Sequence, residues 1–201
     1  MLLEVFNQRI LVKNNLNLDL FLPYEKEFKY QLDNLVLQPN FASYVTSEQT
    51  GNARTTVNEP YRSVRTLRGV YFLMSSLYPY FIEAKEQVLG DTSTYLRFGR
   101  AWVNYMFKGC GGYAHTHNPR ESDLVGIFYM SVPSGSGELV IIDSELTGVH
   151  EKQIDASKKY NIKPTQHSFV CHTSTVNHAI TDHQSDEDRI SIIIEAKLQK
   201  K

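Results

Sequence analysis

Residues 124–142 read Leu124-Val-Gly-Ile-Phe-Tyr129-Met-Ser-Val-Pro133-Ser-Gly-Ser-Gly137-Glu-Leu-Val-Ile-Ile142, which is two apolar runs joined by a short turn. Both runs are rich in the β-branched and aromatic residues that favour strands. Proline and glycine interrupt regular structure, so the segment between the runs is typical of a turn. We therefore predict a hairpin-like pair of strands at 124–132 and 138–142.

Similar strand signals extend over the whole C-terminal half of the chain. Glycine-rich and acidic turn sequences, Gly109-Cys-Gly-Gly112 and Ser185-Asp-Glu-Asp188, separate the apolar runs. Short strands at this spacing indicate an antiparallel sandwich or barrel rather than a parallel α/β sheet. The further predicted strands are 94–107, 168–171, 178–181 and 189–198.

The N-terminal half has a different pattern, with one predicted strand at 3–13 followed by helices. Pro23 and the acidic residues after it predict a helix to about residue 37. Helical spacing of apolar residues returns over 61–89, where Gly69 and Pro79 predict two helices or one kinked helix. Between them, residues 38–59 are polar and predict a long loop or lid.

Composition and charge narrow the class of protein. The chain has 201 residues, with 21 basic against 22 acidic side chains and no basic stripe, so nucleic acid is not favoured as a partner. It has neither the roughly 20 consecutive apolar residues of a membrane span nor a signal peptide. Cys110 and Cys171 lack C-x-x-C spacing and are expected to be reduced thiols. We expect a soluble, cytoplasmic protein without a membrane partner.

All seven histidines lie between residues 115 and 183. His115 and His117 are two apart, so in an extended chain their side chains face the same side. Imidazole is the commonest metal ligand in proteins, and His178 on a later strand can complete a set of three. The cluster predicts a catalytic metal centre. The other four histidines are expected to be surface or hydrogen-bonded residues: His150, His167, His172 and His183.

Residues 95–198 contain an ordered set of motifs: Trp102-Val-Asn104, Gly109, His115-x-His117-x-Pro119, residues 124–133, Ser136-Gly137-Glu-Leu, Lys163-Pro164, Phe169-Val-Cys171, His178 and Arg189-Ile-Ser191-Ile. Taken together, these motifs resemble the iron(II)/2-oxoglutarate oxygenases, most closely phage and marine-bacterial members with an H-x-H-P motif. That family has a double-stranded β-helix (jelly roll), which implies a mostly β protein with flanking N-terminal helices. We expect one domain over 1–201, with a strand, buttressing helices and a long loop in 1–93 and the jelly-roll core in 94–201.

The resemblance implies an Fe(II) centre held by H-x-D/E and a distant histidine. His115 matches the first ligand and His178 the distal ligand. At position 117 a histidine stands where the family usually has a carboxylate, so the site departs from the pattern there. His117 is the predicted second ligand, with Glu121 or Asp123 as alternative anionic ligands and a role in orienting its neighbours as a further alternative.

The resemblance also implies a binding site for 2-oxoglutarate. Arg189 matches the basic residue that binds the C5 carboxylate, and a guanidinium suits a carboxylate because it offers a bidentate fork. Ser191 lies two residues on and faces the same side, and Tyr129 matches a tyrosine that donates to the same carboxylate. Tyr113 and Asn104 are predicted to line the wall of that pocket.

The implied activity is that of an Fe(II)- and 2-oxoglutarate-dependent dioxygenase. It would use dioxygen to hydroxylate an unidentified small molecule or protein side chain in a bacterial or phage-infected cell. Residues 38–60 and 146–161 are candidates for covering the site, and a homodimer is a further expectation. Three alternatives stay open: a three-histidine cupin-type enzyme without 2-oxoglutarate, a non-catalytic jelly-roll binding or structural protein, and a zinc hydrolase. The last would have only Glu121 as an obvious base and leaves Arg189-Ile-Ser191 unexplained.

Overall fold

A computed structural model describes residues 1–36, 53–56, 64–143 and 147–200, which form ten strands and two α-helices. The helices are α1 (Glu25–Val36) and α2 (Arg68–Leu89). The strands are β1 (Leu2–Val5), β2 (Gln8–Lys13), β3 (Arg54–Thr55), β4 (Tyr95–Met106), β5 (Leu124–Ser131), β6 (Leu139–Ile142), β7 (Lys159–Ile162), β8 (Phe169–Thr173), β9 (His178–Ile180) and β10 (Arg189–Gln199).

These strands form two antiparallel sheets that pack face to face. The large sheet has the order β1-β2-β8-β5-β10-β4-β3, and the small sheet has the order β7-β6-β9. A hydrophobic cluster with residues from both sheets fills the space between them. It includes Ile127 and Tyr129 from β5 and Leu139 and Ile141 from β6. From β4 onward the chain passes repeatedly between the two sheets, as in a jelly roll. The predicted fold class, a mostly β jelly roll with N-terminal helices, is confirmed.

The two helices cover the outer face of the large sheet. Phe28 of α1 and Phe81 of α2 belong to one buried cluster with Phe128 and Phe169 of the sheet. An added Cβ at Gly69 would lie 2.5 Å from the Cβ of Phe28, so this glycine allows the two helices to approach closely. With its helices on the outside, the large sheet has its other face toward the small sheet and the candidate site.

Within the described part of 61–89 there is one α-helix, so of the two predicted alternatives, two helices or one kinked helix, the structure has a single helix. A short 3₁₀ turn at Val64–Thr66 precedes α2, and α2 itself includes both Gly69 and Pro79. Leu77 and Phe81, on either side of the proline, are fully buried. Tertiary packing outweighs the local cost of proline here. The helix ends at Gly90, which adopts the left-handed conformation typical of a helix C-terminus.

The opening segment forms a hairpin, so the prediction of a single strand at 3–13 was wrong. Strands β1 and β2 pair antiparallel, with Val5 opposite Gln8. Phe6 and Asn7 between them have φ values of 49° and 61°. Positive φ at both central residues is the conformation of a tight hairpin turn, and asparagine tolerates it well.

The predicted pairing of 124–132 with 138–142 was also wrong. Strand β5 pairs with β10 and β8 in the large sheet, whereas β6 pairs with β7 and β9 in the small sheet. The turn at 133–137 therefore carries the chain from one sheet to the other. An added Cβ at Gly137 would collide with the backbone oxygen of Thr181, so this crossing needs a residue without a side chain.

The two segments expected to cover the site are described in part. Residues 53–56 of the predicted loop include the short edge strand β3, and the rest of 38–60 lies outside the described residues. Within 146–161, 3₁₀ turns at Glu151–Gln153 and Ala156–Lys158 lead into β7, a strand that the sequence analysis missed. Neither helix in the described part of the chain has the length and apolar character needed to cross a membrane.

Replacement of Gly126 by alanine is expected to destabilise the fold by about 1–3 kcal/mol, the usual cost of overpacking a core. Its Cβ would lie 2.6 Å from the Phe169 ring and would also collide with the Phe81 ring. Thermal unfolding of the variant should shift down by several degrees. Gly99→Ala is the matched control, because its nearest neighbour would be 3.4 Å away. Equal melting temperatures for the two variants would contradict this account of the core.

Candidate metal centre

The structure brings together the three histidines that the sequence analysis selected. One ring nitrogen from each of His115, His117 and His178 lies within 4.8 Å of the others. His178 begins β9, and His115 forms an isolated bridge with it through two backbone hydrogen bonds of 3.0 Å. The H-x-H segment is therefore extended but belongs to no regular strand. This pairing fixes two of the three imidazoles next to each other at the edge of the small sheet.

Backbone carbonyls determine which ring nitrogen is free on two of these histidines. Nδ1 of His115 donates to the carbonyl oxygen of Tyr113 at 2.8 Å, and Nδ1 of His178 donates to that of Val176 at 3.0 Å. A carbonyl oxygen only accepts, so the proton is on Nδ1 and the lone pair is on Nε2. Both rings thus have a free Nε2, the form in which imidazole binds a metal.

Burial keeps both of these imidazoles neutral. It lowers the pKa of His115 to about 4 and lowers the pKa of His178 well below its ordinary value. Electrostatic repulsion from neighbouring histidines also lowers the pKa of each of the two rings. Because a metal binds the neutral form of histidine, no proton competes for these nitrogens near neutral pH.

Glu195 is a site residue that the sequence analysis missed. Its Oε1 accepts a hydrogen bond from Nδ1 of His117 at 2.9 Å, and its Oε2 accepts one from Nε of Arg100 at 2.9 Å. Burial opposes ionisation of this carboxyl, but the bonds from His117 and Arg100 outweigh it and lower the pKa of Glu195. The sequence did contain a signal for this residue, because Glu195 is an acidic residue inside the apolar run of β10. A charge buried in such a strand needs a partner.

His172 is a fourth imidazole near the other three. It is fully buried, and its ring centre lies 4.8 Å from that of His178. Its Nδ1 donates to the carbonyl oxygen of Thr173 at 2.8 Å, so it is hydrogen-bonded as expected. Its Nε2 has no hydrogen-bond partner among the described residues. Burial lowers the pKa of His172 to about 3, so this ring too is neutral.

The remaining three histidines have ordinary structural roles, as the sequence analysis expected. His167 pairs with Glu25 of α1 at 2.6 Å. His150 caps a 3₁₀ turn, and His183 donates through Nε2 to the carbonyl oxygen of Glu187 at 2.7 Å. Within the described chain, only His115, His117 and His178 form a group with the geometry to hold a metal ion.

Three of the residues predicted to bind 2-oxoglutarate lie side by side on the large sheet. Ser191 of β10 is directly opposite Asn104 of β4 on one side and Tyr129 of β5 on the other. Because residues opposite each other in a sheet point to the same face, all three lie on the face toward the small sheet. All three are buried.

Arg189 lies on the same face, two residues from Ser191, and is 1% exposed. Its guanidinium carbon lies 5.0 Å from the ring centre of Tyr129, and its Nη1 donates to the sulfur of Met106. The Nε of Arg189 and the hydroxyl of Tyr129 have no hydrogen-bond partners within the described segments. Burial lowers the pKa of this guanidinium. The result is a buried cation beside a tyrosine hydroxyl, each with a polar atom that the hydrogen bonds of the described residues leave unused.

The other predicted residues lie elsewhere. Tyr113 contributes its carbonyl oxygen to His115, while its ring packs edge-on against His150 at 5.1 Å. Glu121 is exposed and pairs with Arg100 at 3.2 Å. Asp123 accepts from Lys197 at 2.9 Å and from the backbone of Leu198 at 2.8 Å. Neither acid belongs to the histidine group, so the structure gives no support to either as the second ligand.

A known protein family matches the C-terminal half of this chain. Residues 100–195 match a family model described as "Putative 2OG-Fe(II) oxygenase". The match extends from Arg100 to Glu195 and includes all three grouped histidines and Arg189. No curated protein matches the sequence.

Solved structures of similar fold include a prolyl-4-hydroxylase from Pseudomonas putida, at a TM-score of 0.59 and 12% identity over 96% of this chain and 92% of that one. A prolyl hydroxylase from Trichoplax adhaerens, solved with a hypoxia inducible factor peptide, has a TM-score of 0.58 and 14% identity over 94% and 83%. HygX from Streptomyces hygroscopicus, solved with nickel and 2-oxoglutarate, has a TM-score of 0.62 and 11% identity over 94% and 82%. At these low identities the likeness establishes a shared fold.

Proposed function

We propose that the chain is a member of the Fe(II)/2-oxoglutarate oxygenases, as the family match over residues 100–195 supports. On this premise, His115, His117 and His178 bind Fe(II) and Arg189 anchors 2-oxoglutarate. The observation that carries the proposal is the convergence of three imidazoles whose Nδ1 atoms are all hydrogen-bonded. Such bonds leave Nε2 as the metal-binding atom and hold each ring in place.

The donor set fits Fe(II). Imidazole nitrogen is a usual ligand of iron, and three donors leave further positions for a co-substrate and dioxygen. The neutral state of His115 and His178 favours binding, because protonated rings would have to lose a proton first. Trp102 stacks on His117 at 5.7 Å and packs with Val125 and Ile193, so an apolar wall lies beside the histidines.

The pocket around Arg189 fits a carboxylate of 2-oxoglutarate. A buried guanidinium is costly unless an anion pairs with it, and Arg189 has no carboxylate partner among the described residues. The Tyr129 hydroxyl and the Ser191 side chain lie on the same face and are placed to add hydrogen bonds. Asn104, opposite Ser191, completes the polar surface.

Together, bound iron and 2-oxoglutarate supply the activation of dioxygen that oxidises a C–H bond, with release of succinate and carbon dioxide. The protein's own residues bind and orient the reactants. The three histidines hold the metal, Arg189 fixes the far carboxylate of the co-substrate, and the apolar wall excludes water from the reacting centre. The proposed reaction is hydroxylation of a substrate.

We propose that the substrate is a small molecule or a protein side chain, and that the enzyme acts in the cytoplasm of a bacterial or phage-infected cell. Cys110 and Cys171 support a reducing compartment, because both are buried free thiols.

The test is an anaerobic titration of the purified, metal-free full chain with Fe(II), followed by addition of 2-oxoglutarate. We expect one iron per chain, and then a weak visible charge-transfer absorption when the keto acid binds the metal. Succinate should form once dioxygen is admitted. Iron binding with neither absorption nor succinate would overturn the 2-oxoglutarate role and favour the three-histidine alternative. Failure to bind iron would overturn the whole proposal.

A further inference from the structure

We propose that Glu195 is a positioning residue of the metal centre, which supplies through His117 the negative charge that a carboxylate ligand would otherwise supply. The inference rests on the proposed function, since it concerns how that site holds its metal. Glu195 itself does not belong to the group of metal-binding atoms.

The three grouped histidines supply no negative charge to the metal. His115, His117 and His178 are imidazoles, so in their neutral form they bring no negative charge to a divalent cation. A set of two histidines and one carboxylate would bring one negative charge. Glu121 and Asp123 are the acidic residues that follow His117 most closely in the sequence. They form ion pairs with Arg100 and Lys197, so neither supplies that negative charge to the metal.

Glu195 differs from the other hydrogen-bond partners of this set. The Nδ1 atoms of His115 and His178 donate to neutral backbone carbonyls, whereas Nδ1 of His117 donates to a carboxylate oxygen at 2.9 Å. A carboxylate partner makes the imidazole more basic and binds its Nδ1 proton, so Nε2 becomes a stronger donor. His117 therefore transmits part of the effect of the Glu195 negative charge to the metal, although its own ligand atom is an imidazole nitrogen.

The surroundings hold the carboxylate in this position. Glu195 is 1% exposed and lies where the pairing of β10 with β4 shifts in register, between Ile194 and Ala196. Irregularities of this kind redirect side chains. Arg100 contacts both oxygens of Glu195, at 2.9 and 3.3 Å, and its guanidinium carbon lies 5.7 Å from the Trp102 ring that stacks on His117. The carboxylate is therefore fixed from two sides and cannot rotate away without losing both partners.

The test compares Glu195→Gln with Glu121→Gln. Both substitutions remove one negative charge from a partner of Arg100, but only Glu195 contacts an imidazole. A glutamine oxygen can still accept the Nδ1 proton of His117, so the variant removes the charge and keeps the ring orientation. For Glu195→Gln we expect the Kd for Fe(II), measured anaerobically, to rise about 10–100-fold. The Kd of Glu121→Gln should stay within about twofold of wild type, because an exposed charge is screened.

The reduction potential of the bound iron is a readout that a merely structural role would not move. Loss of a nearby negative charge disfavours Fe(III) more than Fe(II), so the potential of Glu195→Gln should rise above that of wild type. If Glu195→Gln fails to fold, the double variant Arg100→Gln, Glu195→Gln is compared with Arg100→Gln alone, so that the two proteins differ only by the charge of Glu195. The same two changes are expected relative to Arg100→Gln.

The outcomes separate this inference from the proposed function. Wild type that binds no Fe(II) overturns the proposed function itself. Wild type that binds Fe(II) leaves the metal site intact, and the role of Glu195 is then overturned if the Kd and the potential of Glu195→Gln equal those of wild type. For the double variant, the same conclusion follows if its Kd and potential equal those of Arg100→Gln. A weaker Kd together with a higher potential supports the role of Glu195.

Discussion

Replacement of His178 by alanine is expected to abolish stoichiometric Fe(II) binding and, with it, all formation of succinate from 2-oxoglutarate. His178 is the most buried of the three grouped histidines, and its Nδ1 bond to Val176 holds the ring in place. The remaining pair, His115 and His117, cannot enclose the ion. The loss should far exceed the roughly 10–100-fold typical of residues that only hydrogen-bond to a ligand. Anaerobic titration followed by metal analysis after gel filtration measures it.

His167→Ala is the matched control for that variant. His167 pairs with Glu25 on the outer side of the molecule and is not part of the histidine group. It should retain one iron per chain. Circular dichroism of both variants in the absence of metal establishes that they are folded. If His178→Ala held iron as tightly as His167→Ala, the assignment of His178 as a ligand would be wrong.

Replacement of Arg189 by methionine is expected to remove most of the affinity for 2-oxoglutarate while Fe(II) binding is retained. Truncating one member of a buried, hydrogen-bonded charge pair costs roughly 2–5 kcal/mol, which corresponds to an increase in Kd of about 30-fold to several thousand-fold. Methionine is apolar and of similar length, so it fills the space beside Tyr129 and Met106. Titration of the iron-loaded protein with 2-oxoglutarate, followed by the visible absorption, gives the Kd.

Two further variants sharpen the test of Arg189. Arg189→Lys keeps the charge but loses the planar fork, so its Kd should lie between those of wild type and Arg189→Met. Arg97→Met makes the same change at an exposed position on β4 and should leave both affinities unchanged. A wild-type Kd for 2-oxoglutarate in Arg189→Met would show that the co-substrate is anchored elsewhere.

Local sequence patterns predicted most strands of the jelly roll, although not β7, and the three grouped histidines of the candidate site. The apolar runs at 94–107 and 189–198 became β4 and β10 because β-branched and aromatic side chains favour extended backbone almost regardless of context. The H-x-H spacing placed two imidazoles on one side of an extended chain, and Arg189-Ile-Ser191 placed two polar groups on one face of a strand. Strand preference and two-residue spacing depend only on residues that are close together in the sequence.

Other features depended on contacts between distant parts of the chain. Two adjacent runs, β5 and β6, were expected to pair, but they belong to opposite sheets because each finds its partners among strands far away in sequence. Pro79 lies inside a helix because packing on both sides of it outweighs its local cost. No local pattern contains this information, since it depends on which surfaces the whole chain can bury together.

The same reason accounts for the part of the site that the sequence did not reveal. Glu195 and His117 are 78 positions apart, and their hydrogen bond exists because β10 runs beside the segment that carries the H-x-H motif. His172 joins the histidines because β8 lies in the sheet opposite β9. Residue types and short spacings indicated a metal centre. The position of the Glu195 charge beside it depends on how the strands cross, because a hydrogen bond requires contact within about 3 Å.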